Sequence, residues 1–445
     1  MNASQFPTLE QDGAPSPRTE TAAAARNGIP GLNRMTASTR ARCSMFALAA
    51  TMLAFWTTSA WRALDGHSPE HLRIFGSFWA SGWALTHQLN PYAAYPQTWH
   101  YVLIGKHPLT IFDLNLSPPA LMPLFQLISG FSPYTAVKVW TLFSALAILA
   151  MIASLVFASG RLPQQRQLLW LLMCPIVIDT LALSEDWALL AIAVTAAWLL
   201  LQRDKEFTAG LIIGVLAAAK PNFLVWPLFL LFRGQKRTAI VAFSTTAVLS
   251  AIPILLYGPA IYLQWMQAIG ADLHFLIPTD ISIPALAADL GLPNLGRVLA
   301  VLLIASAGWF IVARRPSLEA TTGLALCLAI LASPIAWMQY TLFLVPVLLN
   351  APWSRRLTLA AIPMLLPTNI AVALVRFPTA SLITHCCYFI PVCCFALHFL
   401  RSGMGDGVPQ SETGIVRNNI LFSGSPHPAS VALATSGTTS HAGAN

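Results

Sequence analysis

Charge is what this chain has least of. Only 9% of its 445 residues are Asp, Glu, Lys or Arg, whereas a soluble domain carries roughly 25%, so a water-facing globular fold is excluded. The sequence also holds no G-x-x-x-x-G-K-[ST], no G-x-G-x-x-G after a strand and no H-E-x-x-H, which removes the common nucleotide-phosphate and zinc-protease signatures. Its seven cysteines include no C-x-x-C pair, and all lie in or beside apolar segments. Cys386-Cys387 and Cys393-Cys394 fall two turns apart on one helix and read as buried structural thiols rather than a zinc site or a disulfide framework. No metal and no cofactor is called for.

What is present is apolar. Hydrophobic residues make up 56% and the mean hydropathy is +0.64, which with the long apolar runs predicts an all-α polytopic membrane protein. The net charge of +8 does not form the patch of a nucleic-acid binder. Its basic residues are strung out as short clusters between apolar runs: Arg40 and Arg42, Arg161 and Arg166, Arg203 and Lys205, Arg233 with Lys236 and Arg237, Arg314 and Arg315, Arg355 and Arg356, and Arg401. Such clusters mark cytoplasmic loops. They pair the intervening segments into hairpins that turn on the far side: residues 168–202 at Ser184-Glu185-Asp186, 238–313 around an outer loop at 258–295, then 318–353 and 357–400.

Two places strain this scheme. Segments 43–61, 117–133 and 135–158 give an odd count before Arg161, so either 117–133 is re-entrant or the Arg161 loop faces outward. Residues 207–232 are cut by Lys220-Pro221 into pieces each shorter than the roughly 20 residues of a span, a form tolerated where it is buried or lines a cavity. The ends differ in kind. Residues 1–42 and 402–445 are small, polar and aperiodic and read as disordered cytoplasmic tails around a membrane domain at 43–401. The first apolar segment closes on no small-residue cleavage site and behaves as an uncleaved anchor.

An outer loop over 62–114 holds the aromatic stretch Leu72 to Pro96, LRIFGSFWASGWALTHQLNPYAAYP. Phe75, Phe78, Trp79, Gly82 and Trp83 recur at helical spacing, predicting a helix along the membrane surface that stops at Asn90-Pro91-Tyr92. A few polar residues are of the kind a membrane chain keeps for use. Asp65, His67, Glu70, His71 and Arg73 follow the first span, Asp113 stands in Asp113-Leu114-Asn115-Leu116-Ser117-Pro118-Pro119, Glu185 and Asp186 occupy a hairpin turn, Lys220 interrupts its apolar run, and Gln339 follows Ser333-Pro334-Ile335-Ala336-Trp337-Met338. Each has a plainer reading. Asp113 is a candidate helix cap, although Asn115 and Ser117 are better placed. Glu185 and Asp186 fit a solvated turn, Lys220 fits a snorkelling side chain, and Asp65, Glu70 and Arg73 fit a solvated face.

The order of these motifs resembles the family 87 glycosyltransferases, which include polyprenyl-phosphate-mannose-dependent mannosyltransferases of bacterial envelopes. The likeness runs through Phe75 to Gly82, Asn90-Pro91-Tyr92, Asn115 to Pro119, Ala209 to Gly214 leading to Lys220-Pro221, Asp280-Ile281-Ser282 before Leu290-Gly291, and Ser333-Pro334 with Trp337, over roughly residues 43–400. This chain has Ile74 where the family reads its catalytic Asp, Ser184-Glu185 for Gly-Gln, and Gln339 for His.

The resemblance implies a C-type glycosyltransferase bundle of about 10 to 13 transmembrane or re-entrant helices, with outer-surface amphipathic helices over a cavity. It implies transfer of a hexose such as mannose from a polyprenyl-phosphate donor to a lipid or glycan acceptor, on the outer face of a bacterial cytoplasmic membrane that the chain crosses many times. Asp113, Glu70 and Asp65 are then the candidate acid–base carboxylates. Lys220 and Arg73 are the candidate partners of the donor phosphate, and Trp79, Asn90, Tyr92, Asn115, Glu185, Ser282, Trp337 and Gln339 are expected around the substrate. The partners are the lipid-linked sugar, the acceptor and membrane lipids, with no nucleic acid. A non-catalytic binding or scaffold member of the same fold is the alternative, and an amphiphile transporter, which would show paired repeats with broken helices, is a more distant one.

The charge pattern sets a first test. In a cysteine-free version, single cysteines in either tail or in the loops at Arg203 and Arg355 are expected to react with a membrane-impermeant thiol reagent only after permeabilisation, and those in 62–114 or 258–295 in intact cells. Labelling of a tail from outside overturns the scheme.

Overall fold

The computed structural model describes residues 37–63, 72, 74–104, 107–158, 163–272, 280–366 and 378–405. Asp65, Glu70, Arg73, the Arg161 position and nearly all of both terminal tails lie outside the described residues. What is described is helical apart from one antiparallel hairpin, β1 (Trp99–Ile104) with β2 (His107–Phe112).

Among the described residues, five stretches are long and apolar enough to cross a membrane: Pro133–Ala158, Gln165–Leu183, Lys236–Tyr257, Pro293–Arg314 and His385–Met404. The first predicted span falls within α1 (Ala37–Ala63). Thr51 and Thr57 donate back to the carbonyls of Ala47 (2.9 Å) and Leu53 (2.7 Å), which spares the hydroxyls a water partner.

The basic clusters share one end of the bundle. Arg42 at the start of α1 donates to the Val156 carbonyl just past α4 (Pro133–Ala153), Arg203 to Ala158 (2.7 Å), Arg166 to Trp353, and Arg233 to Pro316 (2.9 Å). Since Arg42 and Val156 lie together, two crossings and no third separate them, and segment 117–133 is the re-entrant one. Its helix α3 (Met122–Ile128) packs on α2 (Phe75–Thr86), with Gly82 against the Phe125 carbonyl, and Gln126 accepts from the Tyr257 hydroxyl (2.7 Å) at the far end of α10 (Lys236–Tyr257).

Three hairpins climb from the basic end, and each has at least one arm too short to cross. α5 (Gln165–Met173) and α6 (Pro175–Leu183) lead to Ser184–Asp186, from which α7 (Trp187–Leu201) returns. α8 (Glu206–Ala219) ends at Lys220 in extended conformation, Pro221 opens a short 3-10 turn, and α9 (Val225–Arg233) returns. With its amide oriented to donate, Gln235 reaches the Glu206 carboxylate (2.8 Å), so the start of α8 and the end of α9 meet. The broken run 207–232 is thus a hairpin and not a kinked span. α14 (Leu318–Leu331) turns at Ser333–Trp337 and comes back through a 3-10 stretch and α15 (Val345–Asn350). The arms α7, α8 and α14 hold 15, 14 and 14 residues, about 22 Å each, against a hydrocarbon core of roughly 30 Å. Their tips therefore end at depth, where polar backbone needs protein partners.

The tips are bonded to one another. The Lys220 ammonium lies 3.5 Å from the Asp186 carboxylate, both largely buried, and the Asn222 amide donates to the Ala329 carbonyl (2.8 Å). Above them lie α2, α11 (Ala260–Asp272) and α12 (Ile283–Asp289), after which α13 (Pro293–Arg314) descends. α16 (Arg355–Ala361) and α17 (Pro378–Gly405) complete the described chain, and His385 of α17 pairs with Asp289 at 3.0 Å.

The aromatic helix α2 departs from its expected place along the membrane surface. Phe75 through Gly82 are all buried, Trp79 included. The faces between its rings are lined by Gly and Ser, which let backbone approach where lipid was expected: Gly76 abuts the Gln97 carbonyl and Gly82 that of Phe125. A helix without a polar face is buried on all sides.

Two predictions follow from the packing. A β-carbon on Gly214 of α8 would lie 2.5 Å from the Thr245 Cβ and 2.6 Å from the Ala242 carbonyl of α10, a small-residue contact of the membrane kind. Gly214→Leu is expected to destabilise the purified protein by about 1–3 kcal/mol or more in thermal unfolding, while Leu at exposed Val215 does not. Lys220→Met strands Asp186 and is expected to cost about 3–5 kcal/mol. Adding Asp186→Leu is expected to restore most of that loss in a double-mutant cycle.

Candidate functional site

A cavity of about 660 Å³ opens where the three tips meet the overlying helices. Its polar side chains come from separate elements: Asp113 from the loop after β2, Glu185 from the α6–α7 turn, Lys220 and Asn222 from the α8–α9 turn, Trp337 and Tyr340 from the third hairpin, and Arg297 from α13. Leu116, Trp265, Met266, Ile269, Val225, Ile304 and Leu328 make the remaining wall apolar.

Each polar group is fixed by the chain around it. Asp113 donates its backbone N–H to the Thr98 carbonyl (3.0 Å), which ties its loop to the base of the β-hairpin. Ser184 takes a left-handed conformation at φ 53°, an uncommon choice for a residue with a β-carbon. Its hydroxyl is 2.9 Å from that of Thr141, and the Trp140 indole donates to the Glu185 carbonyl (3.2 Å). The solvated-turn reading of Glu185 and Asp186 fails here, since the two residues are 6% and 4% exposed. The charged neighbours of Glu185 are Lys220, Asp186 and Asp113. Lys220 does not snorkel. Asp186 holds it, and its ammonium lies 5.5 Å from the centre of the Tyr340 ring.

The third tip is stitched to the outer loop. The Asp280 carboxylate accepts from the backbone N–H of Ser282 (2.9 Å) and Ala336 (3.1 Å), and the Ile281 N–H donates to the Ala336 carbonyl (2.8 Å). Burial pushes the Asp280 carboxyl up to about 6, against the pull of those two N–H donors. Its bonds make it an anchor for the cavity wall.

Of the residues singled out from the sequence, Asp113, Glu185, Lys220 and Trp337 line this one cavity. Others do not reach it, and their bonds explain why. The Trp79 indole donates to the Phe131 carbonyl (2.9 Å). Asn90 is exposed and accepts from the Tyr92 N–H (2.9 Å), a turn-forming bond, while the Tyr92 hydroxyl donates to the Ser117 carbonyl (3.1 Å). Asn115 is buried between the Ser81 hydroxyl and the Ser117 N–H, both at 2.9 Å. Ser282 caps α12 through the Ala285 N–H (3.1 Å). Gln339 is buried behind the wall, and its Oε1 has no hydrogen-bond partner among the described residues. Ile74, at the position of the family's carboxylate in the resemblance, lines the cavity together with Asp113.

Sequence reading passed over Arg297, Asn222 and Tyr340. Arg297 had a signal: it stands near the outer end of a span, the end where the charge rule puts few basic residues. The cysteine pairs are part-buried free thiols, and among the described residues no group of three or more His, Cys, Asp or Glu side chains is placed to hold a metal ion.

Comparison with curated proteins and with solved structures returned no match. A family model does match, over residues 115–334, a narrower stretch than the motif order predicts. It takes in the Glu185 turn, the Lys220 turn, the Asp280 anchor and α13, and stops at Pro334, short of Trp337 and Gln339. The matching model is that of glycosyltransferase family 87, and the chain is similar to that family through this stretch, which supplies most of the cavity floor.

Proposed function

We propose that this membrane glycosyltransferase moves a hexose such as mannose from a polyprenyl-phosphate donor to a lipid or glycan acceptor, in the cavity above the three hairpin tips. The observation that carries the reading is the cavity's composition. Asp113, Glu185, Lys220 and Arg297 line one space whose remaining lining is largely apolar, and that lining includes Met266 on the exposed face of α11. A lipid-linked sugar has that composition: an acyl chain for the apolar lining, a phosphate and a hexose for the polar groups. The cavity lies at the end of the bundle opposite the basic clusters, which supports transfer on the outer face, with 1–42 and 402–445 as cytoplasmic tails of a bacterial inner-membrane protein.

In this reading Asp113 is the base. The acceptor hydroxyl attacks the anomeric carbon as the bond from that carbon to the phosphate oxygen breaks, and the hydroxyl proton passes to the Asp113 carboxylate. Arg297 and Lys220 supply positive charge toward the phosphate, joined by Arg73 from the outer loop. Glu70 and Asp65, in that loop, are the substitute carboxylates.

The experiment is sugar transfer from a polyprenyl-phosphate donor in membranes containing the protein. Asp113→Asn keeps the size of the side chain and removes the proton acceptor, so it is expected to lower the rate by roughly a hundredfold or more with little change in donor affinity. A rate within a few-fold of the parent removes Asp113 as the base. If Glu70→Gln and Asp65→Asn are equally harmless, the chain is a binding member of the fold and not an enzyme.

A further inference from the structure

We propose that Glu185 recognises the transferred hexose, its carboxyl oxygens accepting hydrogen bonds from the sugar's ring hydroxyls. This rests on the transferase reading above and names the group that sets its sugar preference. Three observations carry it: Glu185 is buried yet lines the reaction cavity, its turn is locked, and its carboxylate makes no hydrogen bond or ion pair among the described residues.

Two neighbouring carboxylates at this tip go separate ways. Asp186 has both carboxylate oxygens buried and lies 3.5 Å from the Lys220 ammonium. Glu185, one residue before it, is 6% exposed and lines the cavity. Its backbone is held on both flanks: Ser184, at φ 53°, meets the Thr141 hydroxyl at 2.9 Å, and the Glu185 carbonyl accepts from the Trp140 indole at 3.2 Å. The fold thus fixes the stem of the side chain and leaves its two oxygens for a ligand. A buried polar group without a partner is costly whether or not it carries a charge, so the molecule that fills the cavity is expected to bring donors.

Which part of the donor brings them follows from its chemistry. The phosphate diester offers acceptors only, and it suits Arg297, which lines the same cavity and makes no hydrogen bond or ion pair among the described residues. The acyl chain brings no donor. A hexose carries hydroxyls on adjacent carbons, each an O–H donor, and two of them can meet the two oxygens of one carboxyl group. Two more groups on the lining are unspent. Asn222 gives its amide N–H to the Ala329 carbonyl at 2.8 Å and keeps its Oδ1, and the Trp337 indole N–H makes no hydrogen bond among the described residues. Acceptors and a donor together match a ring bearing several hydroxyls, since each hydroxyl both gives and takes a bond. Glu185 in this role moves no proton, and the acid–base chemistry stays with Asp113.

The test is a cycle that changes the protein and the sugar together. Transfer is measured from polyprenyl-phosphate mannose or glucose, whichever the parent uses, and from the forms of that donor that each lack one ring hydroxyl. The proteins are the parent and Glu185→Leu, which fills the space but accepts nothing. In the parent, removing a hydroxyl that Glu185 holds is expected to lower kcat/KM by roughly 10- to 100-fold, and Glu185→Leu is expected to cost a similar factor on the intact sugar. In the variant the same deoxygenation is expected to cost almost nothing more, because the bond is already gone. A merely structural glutamate would make the two penalties multiply. The assignment is overturned by multiplied penalties at every hydroxyl, or by a parent indifferent to the loss of each of them, a result that needs no variant. If Glu185→Leu does not fold, Glu185→Gln takes its place in the cycle, where a smaller penalty at the same hydroxyl supports the assignment and an unchanged one overturns it. If the parent transfers neither sugar, the transferase reading falls along with this one, whereas transfer with multiplied penalties removes only the role of Glu185.

Discussion

An ammonium group cannot sit in an apolar interior without a counter-charge, and in this protein that rule joins separate parts of the fold. Lys220 ends the first arm of one hairpin and Asp186 begins the second arm of another, 3.5 Å apart. Neither residue suits a membrane segment alone. Together they hold two hairpin tips at one depth, and the cavity floor follows from that depth. The third tip is held to the same level by the Asn222 amide on Ala329 and, from above, by Asp280 on the backbone of Ala336.

The arrangement explains why polar residues are so few and so concentrated. Helical arms satisfy their own backbone groups, but turns do not. By stopping three turns inside the bundle, the fold creates a local demand for hydrogen bonds and charge, met by Ser184, Lys220, Asn222 and Ser333 with their neighbours. The surrounding faces of α10 and α13 remain exposed and apolar, suited to lipid. Polarity in the described chain is a property of the tips more than of any one helix.

Much of this was legible in the sequence, and the limits are physical. Arg and Lys clusters follow a charge rule that acts over short loops, so the hairpin pairing of residues 168–202 and 318–353 emerged from spacing alone, and the Lys220-Pro221 interruption was visible because proline removes a donor. The third dimension was less accessible. The spacing of Phe75, Phe78 and Trp79 states that rings share a face, but whether lipid or protein meets that face depends on Gly76 and Gly82 touching distant carbonyls, which periodicity does not report. The cavity gathers Asp113, Glu185, Lys220 and Trp337 and leaves out Asn90 and Tyr92 for the same reason. All have polar atoms, but those of Asn90 and Tyr92 are spent on local turns and backbone ties.

The hairpins have a mechanical side. Each tip stands at a height set by the length of its arms and by where those arms are fastened at the basic end. There Gln167 donates to the carbonyls of Leu348 (2.9 Å) and Ala351 (2.7 Å), joining the foot of the first hairpin to that of the third. A helix advances about 1.5 Å per residue, so one residue gained or lost in an arm shifts its tip by half the width of a water molecule and turns the tip's side chains through about 100°. The bundle acts as a set of rulers read from a common baseline, and the distances between groups in the cavity are written in arm lengths some 20 Å away.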